Sequence, residues 1–386
     1  MLKSYRYRIY PTKSQMSTLN RHLEICRHVY NDTLAYKKQL WETSKIHTSL
    51  FDTNKLLPQW KQDHPEYKEV FSQVLQNSQV RVDLAYKAFF RRVKIGENPG
   101  YPRFKGYGRY DGITYPQLGF KISPNVGEIH ISKIGIIRTT FHRVPEGTPK
   151  TLTVRKTHTG KWYVSIVYEY TSHDHLPEND KVVGIDVGIS SFATLSDGSH
   201  INNPKFYEIE EKSLAKSQRK LSNLEKGTPA RSHQRKVVAR IHERIRDKRN
   251  DFSHKLSRKF VNEYGVICIE DLDINRMISK ENTNSTTSLS KRISDASWNT
   301  FMNYLTYKAE EAGRHVIKVD PRNTSQICSR CGKLPQKVKS LSDRIHLCTY
   351  CGYKEDRDVN AAINIMRLGL QSLAKKHRSP RIYSWE

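Results

Sequence analysis

Long apolar runs are missing from this 386-residue sequence. No stretch approaches the roughly 18 apolar residues of a membrane-spanning helix, and Met1–Tyr10 alternates basic and aromatic residues where a secretion signal would carry an apolar block. A cytoplasmic or nucleoid-associated protein is therefore expected. Acids are scarce as well: 39 Asp and Glu face 66 Lys and Arg, for a formal net charge of +27. A surplus of that size, spread along the chain, is the footprint of a polyanion partner. Nucleic acid is the first candidate, and a membrane surface the weaker one, because the basic helical stretches lack a strong opposed Leu/Phe/Trp face. Cysteine is sparse, with six residues. Four of them fall in one short window of a large chain, which speaks for metal and against a disulfide framework.

What is present is enough apolar material, 36%, for two or three domains with real cores. Lys3–Tyr10 alternates like a strand and Pro11 stops it. Thr12 or Ser14 can then cap a helix to about Trp41, in which Leu19, Leu23, Cys26, Tyr30 and Leu34 share a face. Cys26 reads there as a small buried hydrophobe. A polar loop with Pro58 and Pro65 leads to a second helix over about 70–94, whose apolar side is Val74, Leu75, Val82, Tyr86, Phe89 and Phe90. Gln73, Gln76, Asn77, Gln79, Arg81, Arg91 and Arg92 are then expected outside, where amides beside arginines can read base edges and hold phosphates. An ordinary solvated helix face would look the same. Residues 98–119 interleave Gly, Pro and aromatics with Arg103, Lys105 and Arg109, a mixture suited to stacking on bases and pairing with phosphates, or to a long packed loop. From Phe120 to Tyr170, short strands at close spacing predict a small β-barrel closed by the first strand, with the helices as an insertion.

Residues 181–191, KVVGIDVGISS, read as a buried strand that carries Asp186. A carboxylate there needs a partner, and a cation removes the cost of burying it; the plainer alternative is a strand-end or turn residue. GVICIEDLD, residues 265–273, is a second such strand, ending in Glu270, Asp271 and Asp273, which could equally cap a following helix. Between them lies a long basic helical region, about 207–264, interrupted at Gly227-Thr228-Pro229. Arg235 and Arg240 belong to its polar faces, read as a wall of a nucleic-acid channel. Residues 275–292 predict a mobile loop, 297–312 a helix and 315–319 a strand.

Cys328-x2-Cys331 and Cys348-x2-Cys351 are separated by sixteen residues, and Gly332 and Gly352 follow the two pairs. Four thiolates with no open position predict a structural, non-catalytic zinc ribbon. Residues 354–370 then form an amphipathic helix, with Asp356 and Asp358 at its start, where capping accounts for one of them. Asp186, Glu270 and one of these aspartates make a set of hard oxygen ligands. Two magnesium ions bridged by such a set can hydrolyse a phosphodiester, provided an RNase H-like sheet brings the three together.

The order GIDVG, IEDL, TSQICSRCG and DRDVNAAINI resembles the RuvC nuclease domain of TnpB proteins, which insertion sequences encode and which are similar to type V CRISPR effectors. YRYRIYPTKSQ, PGYPRFKGYGRYDGITYPQ and the stretch from DASWNTFMNYL to the first cysteine pair extend the likeness over nearly the whole chain. The resemblance implies a multidomain α+β and α/β protein. Residues 1–10 and 98–178 would form a wedge β-barrel, 11–97 a helical recognition insertion, 179–324 and 355–375 an RNase H-like RuvC domain, 325–354 a zinc ribbon, and 376–386 a flexible tail. It implies an RNA-guided endonuclease that uses a guide RNA from the transposon end and cleaves double-stranded DNA beside a short flanking motif; the sequence does not fix the oligomeric state, for which a monomer is the expectation. Gln73, Gln76, Asn77, Gln79 and Thr114 are the candidates for reading that motif. Asp186, Glu270 and Asp358 would be the catalytic magnesium ligands, Asp358 because DVNAA matches the family's D-x-N-x-A placement, with Asp356 as second choice or helix cap. The alternatives are a nuclease-inactive, RNA-guided DNA-binding regulator on the same fold, which the intact acids disfavour, a DNA-joining transposase, for which no His-hydrophobic-His or tyrosine-nucleophile arrangement stands out, and a plain zinc-ribbon DNA-binding factor, which would leave two domains unexplained.

Overall fold

The computed structural model describes residues 2–170, 175–278, 287–336 and 343–378. The chain divides into two compact units, Met1–Ser172 and His173–Glu386. Among the described residues no helix is long and apolar enough to cross a membrane.

In the first unit, β1 (Leu2–Tyr10) ends at Pro11, and Thr12 caps α1 (Lys13–Ser44). The capping is reciprocal: the Thr12 hydroxyl accepts the Gln15 N–H at 3.2 Å and the Gln15 side chain accepts the Thr12 N–H at 3.0 Å, which satisfies two otherwise orphaned donors. Next come α2 (Leu50–Asp63), a 3₁₀ turn (Pro65–Glu69) and α3 (Ser72–Lys94). Helix α2 stands where the sequence predicts a polar loop. Pro58 lies inside it and argues against a helix, but Ser49 and Asp52 form a second capping box that starts one. This helix also corrects the expected face of α3. Gln79 is fully buried and donates to the Thr53 carbonyl of α2 at 2.7 Å, so it cannot read DNA from an open surface. Phe90, assigned to the apolar side, is 54% exposed.

Strands β2 (Gly112–Tyr115), β3 (Phe120–Ser123), β4 (Glu128–Ile131), β5 (Gly135–Thr140), β6 (Thr148–Lys156) and β7 (Trp162–Glu169) join β1 in one antiparallel sheet of order β2-β6-β7-β1-β5-β4-β3. β2 lies within the stretch predicted as a loop, where Ile113 and Tyr115 turn inward. The sheet is a nearly closed barrel, and β1 is its centre. It pairs with β7 along Leu2–Ile9 and with β5 along Arg8–Tyr10. The edge strands β2 and β3 share no ladder, but the Tyr115 hydroxyl donates to the Ser132 carbonyl at 3.1 Å beside the gap. Tyr7, Ile9, Ile129, Leu152 and Val164 belong to one apolar cluster with Leu19, Cys26, Leu75 and Val82 of the helices. Burial pushes the Cys26 thiol up to about 12, as suits a packed, unreactive side chain.

The second unit opens with β8 (Val182–Val187), β9 (Ser191–Leu195) and β10 (His200–Asn202), followed by α4 (Phe206–Ser222) and α5 (Pro229–Glu263). Then come β11 (Val266–Glu270), α6 (Ile274–Ile278), α7 (Thr287–Ala296), α8 (Trp298–Glu311) and β12 (His315–Val319). The chain ends with the hairpin β13 (Ile345–Leu347) and β14 (Lys354–Asp356), and α9 (Arg357–Arg378). Part of the predicted mobile loop is thus helical, in α6 and α7; its residues 279–286 lie outside the described residues. The predicted tail starts inside a helix, since α9 runs to Arg378, and residues 379–386 lie outside the described residues.

The sheet has the order β10-β9-β8-β11-β12, with β8, β11 and β12 parallel and β9 antiparallel to both of its neighbours. Parallel strands need cover on both faces, and they have it. Val183, Ile185, Ile267 and Ile269 pack with Leu256 and Phe260 of α5 and Phe301 and Leu305 of α8. On the other face, Val182, Val266, Cys268 and Ile317 pack with Ile365, Leu368 and Leu373 of α9. Gly184 lets α9 come this close: a Cβ on it would lie 2.0 Å from the Ala362 carbonyl oxygen. With Ala362 and Met366 above Gly184 and Leu373 beside Val182 and Val266, the N-terminus of α9 sits at the carboxyl ends of the parallel strands.

Candidate active site and metal centre

Asp186 occupies that edge, near the end of β8. β11 pairs with β8 in parallel up to Ile269 opposite Ile185, so Glu270 follows beside Asp186 on the same face of the sheet. Of the three acids in IEDLD, only Glu270 is buried, at 7% exposed. Asp271 pairs with Lys318 at 3.2 Å in the open, and Asp273 accepts the Arg276 N–H at 3.0 Å as the cap of α6. Asp358 enters from the first turn of α9, and Asp356 precedes it as the cap. The Asp356 carboxylate accepts the N–H groups of Asp358 at 2.8 Å and Val359 at 3.1 Å.

These carboxyls share one electrostatic environment. Asp186 is held well above the usual carboxylate range, first by burial, then by the charges of Glu270 and Asp358; Arg357 opposes the rise and Asp356 adds to it. Glu270 is also raised by burial, against which the Thr324 hydroxyl, donating at 2.5 Å, works. Clustered, desolvated carboxylates are starved of positive charge, and their hard oxygens suit a divalent cation such as magnesium. Among the described residues, only the four cysteines bring all their ligand atoms within 4.8 Å of one another.

Thr324 belongs to a support that sequence reasoning passed over. Asn364 donates to the carbonyls of Thr324 at 2.9 Å and Ile327 at 2.7 Å. Asn360, one turn earlier, donates to the Ile327 carbonyl at 2.8 Å and accepts the Ser329 N–H at 2.8 Å. Both asparagines are buried. Two amides four residues apart on the buried side of an amphipathic helix were the available signal.

The segment they pin leads into the cysteine cluster. Cys328, Cys331, Cys348 and Cys351 approach with sulfur separations of 3.7 Å (Cys328 to Cys351) and 3.6 Å (Cys331 to Cys348). A tetrahedron with Zn–S bonds of about 2.3 Å has edges of roughly 3.8 Å, so the cluster fits a zinc ion. Both pairs form the same turn: Gly332 donates to Cys328 O at 2.8 Å with φ 73°, and Gly352 to Cys348 O at 3.0 Å with φ 68°. Burial works against ionising Cys348, but the backbone amides of Cys351 and Tyr350 facing its sulfur outweigh it and hold the thiol at about 6.

The nucleic-acid candidates fall into separate groups. Arg81 and Thr114 are together, the guanidinium donating to the threonine hydroxyl at 3.1 Å. Gln73 accepts the Leu118 N–H at 3.3 Å. Gln76, Arg91 and Arg103 are exposed, and Asn77 and Arg92 are half-buried. Lys105 is tied to α1, its N–H donating to Asn31 at 2.8 Å and its ammonium lying 5.6 Å from the Tyr30 ring. Arg235 and Arg240 are exposed on α5 of the second unit.

Fold and site together define a basic, two-unit protein of mixed α and β structure with a carboxylate-bearing sheet edge and a four-cysteine cluster that could hold a metal ion. Residues 298–365 match the family described as "Cas12f1-like, TNB domain", residues 165–281 the "Probable transposase" family and residues 1–45 a "Helix-turn-helix domain". The chain is 34% identical to a protein of Streptomyces pristinaespiralis over 96% of this chain and 90% of that one, and 31% identical to InsQ of Escherichia coli over 97% and 94%; each is named "Putative RNA-guided DNA endonuclease". It is 28% identical to the CRISPR-associated endodeoxyribonuclease Cas12f1 of Sulfoacidibacillus thermotolerans over 53% of this chain and 50% of that one. The chain belongs to the TnpB family. A solved structure of the mini RNA-guided endonuclease Cas-phi3 is 11% identical, with a TM-score of 0.47 over 96% of this chain and 92% of that one.

Proposed function

We propose that the chain is an RNA-guided, magnesium-dependent endonuclease that cleaves double-stranded DNA beside a short flanking motif. The observation that carries this is the placement of Glu270 and Asp358 close enough to Asp186, at the edge of the mixed sheet, for their charges to raise its carboxyl. The strand order, with three parallel strands and an antiparallel pair at one side, supports an RNase H-like RuvC reading. The names of the relatives support the guided activity. Specificity would come from guide–target pairing, the guide being transcribed from the transposon end, with the protein reading heteroduplex shape and the flanking motif.

Asp186, Glu270 and Asp358 would hold the magnesium, two ions by the chemistry of the donor set. When bound there, divalent cations activate water and stabilise the leaving 3′ oxygen of a phosphodiester. The chain itself orients the ligands. Thr324 aims Glu270, β8 fixes Asp186, and the Asp356 cap sets the first turn of α9, which carries Asp358. Asp358 is preferred to Asp356 because the latter's carboxylate is already committed to two backbone amides. The zinc would be structural. Gln73, Gln76, Asn77 and Thr114 remain the candidates for the flanking motif.

The test is to purify the chain from cells that carry its transposon end, sequence any bound RNA, and assay a plasmid library with magnesium, using Asp186→Ala in parallel. A defined RNA, guide-dependent cutting and no cutting by the variant are expected. Full cleavage by the variant would overturn the catalytic assignment, and lack of a defined RNA the guided one.

A further inference from the structure

The helical hairpin α4–α5 is far longer than the sheet needs. Near the sheet, Phe252 meets Phe192 at the start of β9, with ring centroids 4.9 Å apart, whereas the Tyr264 hydroxyl reaches Asp197 beyond the other end of β9. Phe192 lies by the carboxyl end of β8, because Val187 pairs with Ala193. Helix α5 therefore runs from the Asp186–Glu270 edge towards the opposite edge. The part before Phe252 projects past the carboxylates by roughly 35 Å at about 1.5 Å per residue.

This projection is built to be stiff. Leu214, Ile241 and Ile245 form its apolar seam, the Gln234 amide donates to the Ser217 carbonyl at 3.0 Å, and Arg231 closes the tip by donating to the Leu221 and Leu224 carbonyls. Its charge changes character along its length. Arg244 and Lys248 share Glu210, and Arg249 sits on Asp295. Beyond them, residues 212–240 hold nine lysines and arginines against one acid, Glu225. Lys212, Lys216, Arg219 and Lys220 of α4 and Arg235 and Arg240 of α5 are exposed and lie against no carboxylate among the described residues. No Phe, Tyr or Trp occurs in that stretch, so it offers charge with little stacking surface.

We propose that the α4–α5 hairpin is a rigid arm that grips the phosphate backbone of the DNA substrate as it approaches the carboxylate edge. This rests on the endonuclease reading above. Unpaired cations on a preorganised rod attract any phosphate backbone irrespective of sequence, and the position of the arm on the carboxylate side selects the strand bound for cleavage.

The test uses the guide-loaded chain in an Asp186→Ala background and a fluorescein-labelled DNA duplex with a single-stranded extension, titrated by anisotropy over a salt series. Lys212→Gln/Lys216→Gln/Arg219→Gln/Lys220→Gln is expected to weaken binding about tenfold or more near 0.1 M salt and to lower the slope of log K against log salt by about 3. Arg235→Gln/Arg240→Gln should act in the same direction. Lys255→Gln/Lys259→Gln, near the far end of α5, should leave the slope unchanged, and all should retain their circular dichroism and bound RNA. An unchanged slope in both arm variants, or lost RNA with unchanged DNA binding, overturns the arm. If the Asp186-intact arm variants also cut as the unsubstituted chain does, the endonuclease reading stands without it. A parent that binds no DNA overturns both.

Discussion

The three carboxyls divide their labour through their surroundings. Asp186 is half-buried and desolvated among like charges, so without magnesium its proton is held to higher pH in the folded chain than in the unfolded one. A raised acid favours folding only while protonated, so that contribution is lost as pH rises above the ordinary carboxylate range near 4. Asp186→Asn should therefore raise the melting temperature in magnesium-free buffer at pH 7 to 8, by on the order of 1 kcal/mol of stability, with the gain shrinking towards pH 4. Calorimetry across that range checks it; a gain independent of pH would show that desolvated charge is not the cause. The two aspartates before α9 should separate in the same way. Asp358→Asn should reduce cleavage about a thousandfold with little change in stability, whereas Asp356→Ala should cost about 1 kcal/mol as a lost cap and keep most of the activity. Side-by-side melting curves and cleavage rates read both.

At the scale of elements, helix α9 is the part that assembles the site. It lies on β8 through Gly184, carries Asp358 at its start, and clamps Thr324–Ser329 with Asn360 and Asn364. Gly184→Ala should destabilise the second unit by about 1 to 3 kcal/mol, because a methyl group would overlap a helix carbonyl and the core has no room to move. Thr324→Val should fold but cleave about tenfold more slowly, since Glu270 loses its hydroxyl partner, and Thr324→Ser should restore the rate. A valine variant as active as the parent would make Thr324 a packing residue only.

For the whole molecule, the cysteine cluster and the carboxylates are linked through that clamp. A zinc ion held by all four cysteines would have no open position for substrate, yet Cys351→Ser should lower both the zinc content and the cleavage rate, the latter by about tenfold or more, because the Thr324–Ser329 segment leads directly into the cysteine cluster. Metal analysis paired with cleavage at saturating magnesium checks this. Undiminished cleavage by a zinc-free chain would show that the ribbon is dispensable for the site. The legibility of the molecule was uneven for physical reasons. Burying strands and amphipathic helices were readable because their period is local, as in β8, β11 and α1. Pro58 masks helix α2 in the sequence, and Gln79 reads as a surface residue because the helix that buries it is the masked one.

By itself, the sequence determined the charge balance, the four-cysteine spacing and the order of the acidic motifs, since each is a property of residue type and separation along the chain. Only the tertiary structure decided which acids meet. Asp186 and Glu270 are far apart in sequence and become neighbours through parallel strand pairing. Glu270 rather than Asp271 or Asp273 turns inward because side chains alternate along β11 and its end. Asp356 is held at the helix terminus it caps, and Asp358 stands in the first turn of α9, where its charge acts on Asp186. Such choices depend on which element packs against which, and a one-dimensional pattern holds no record of that.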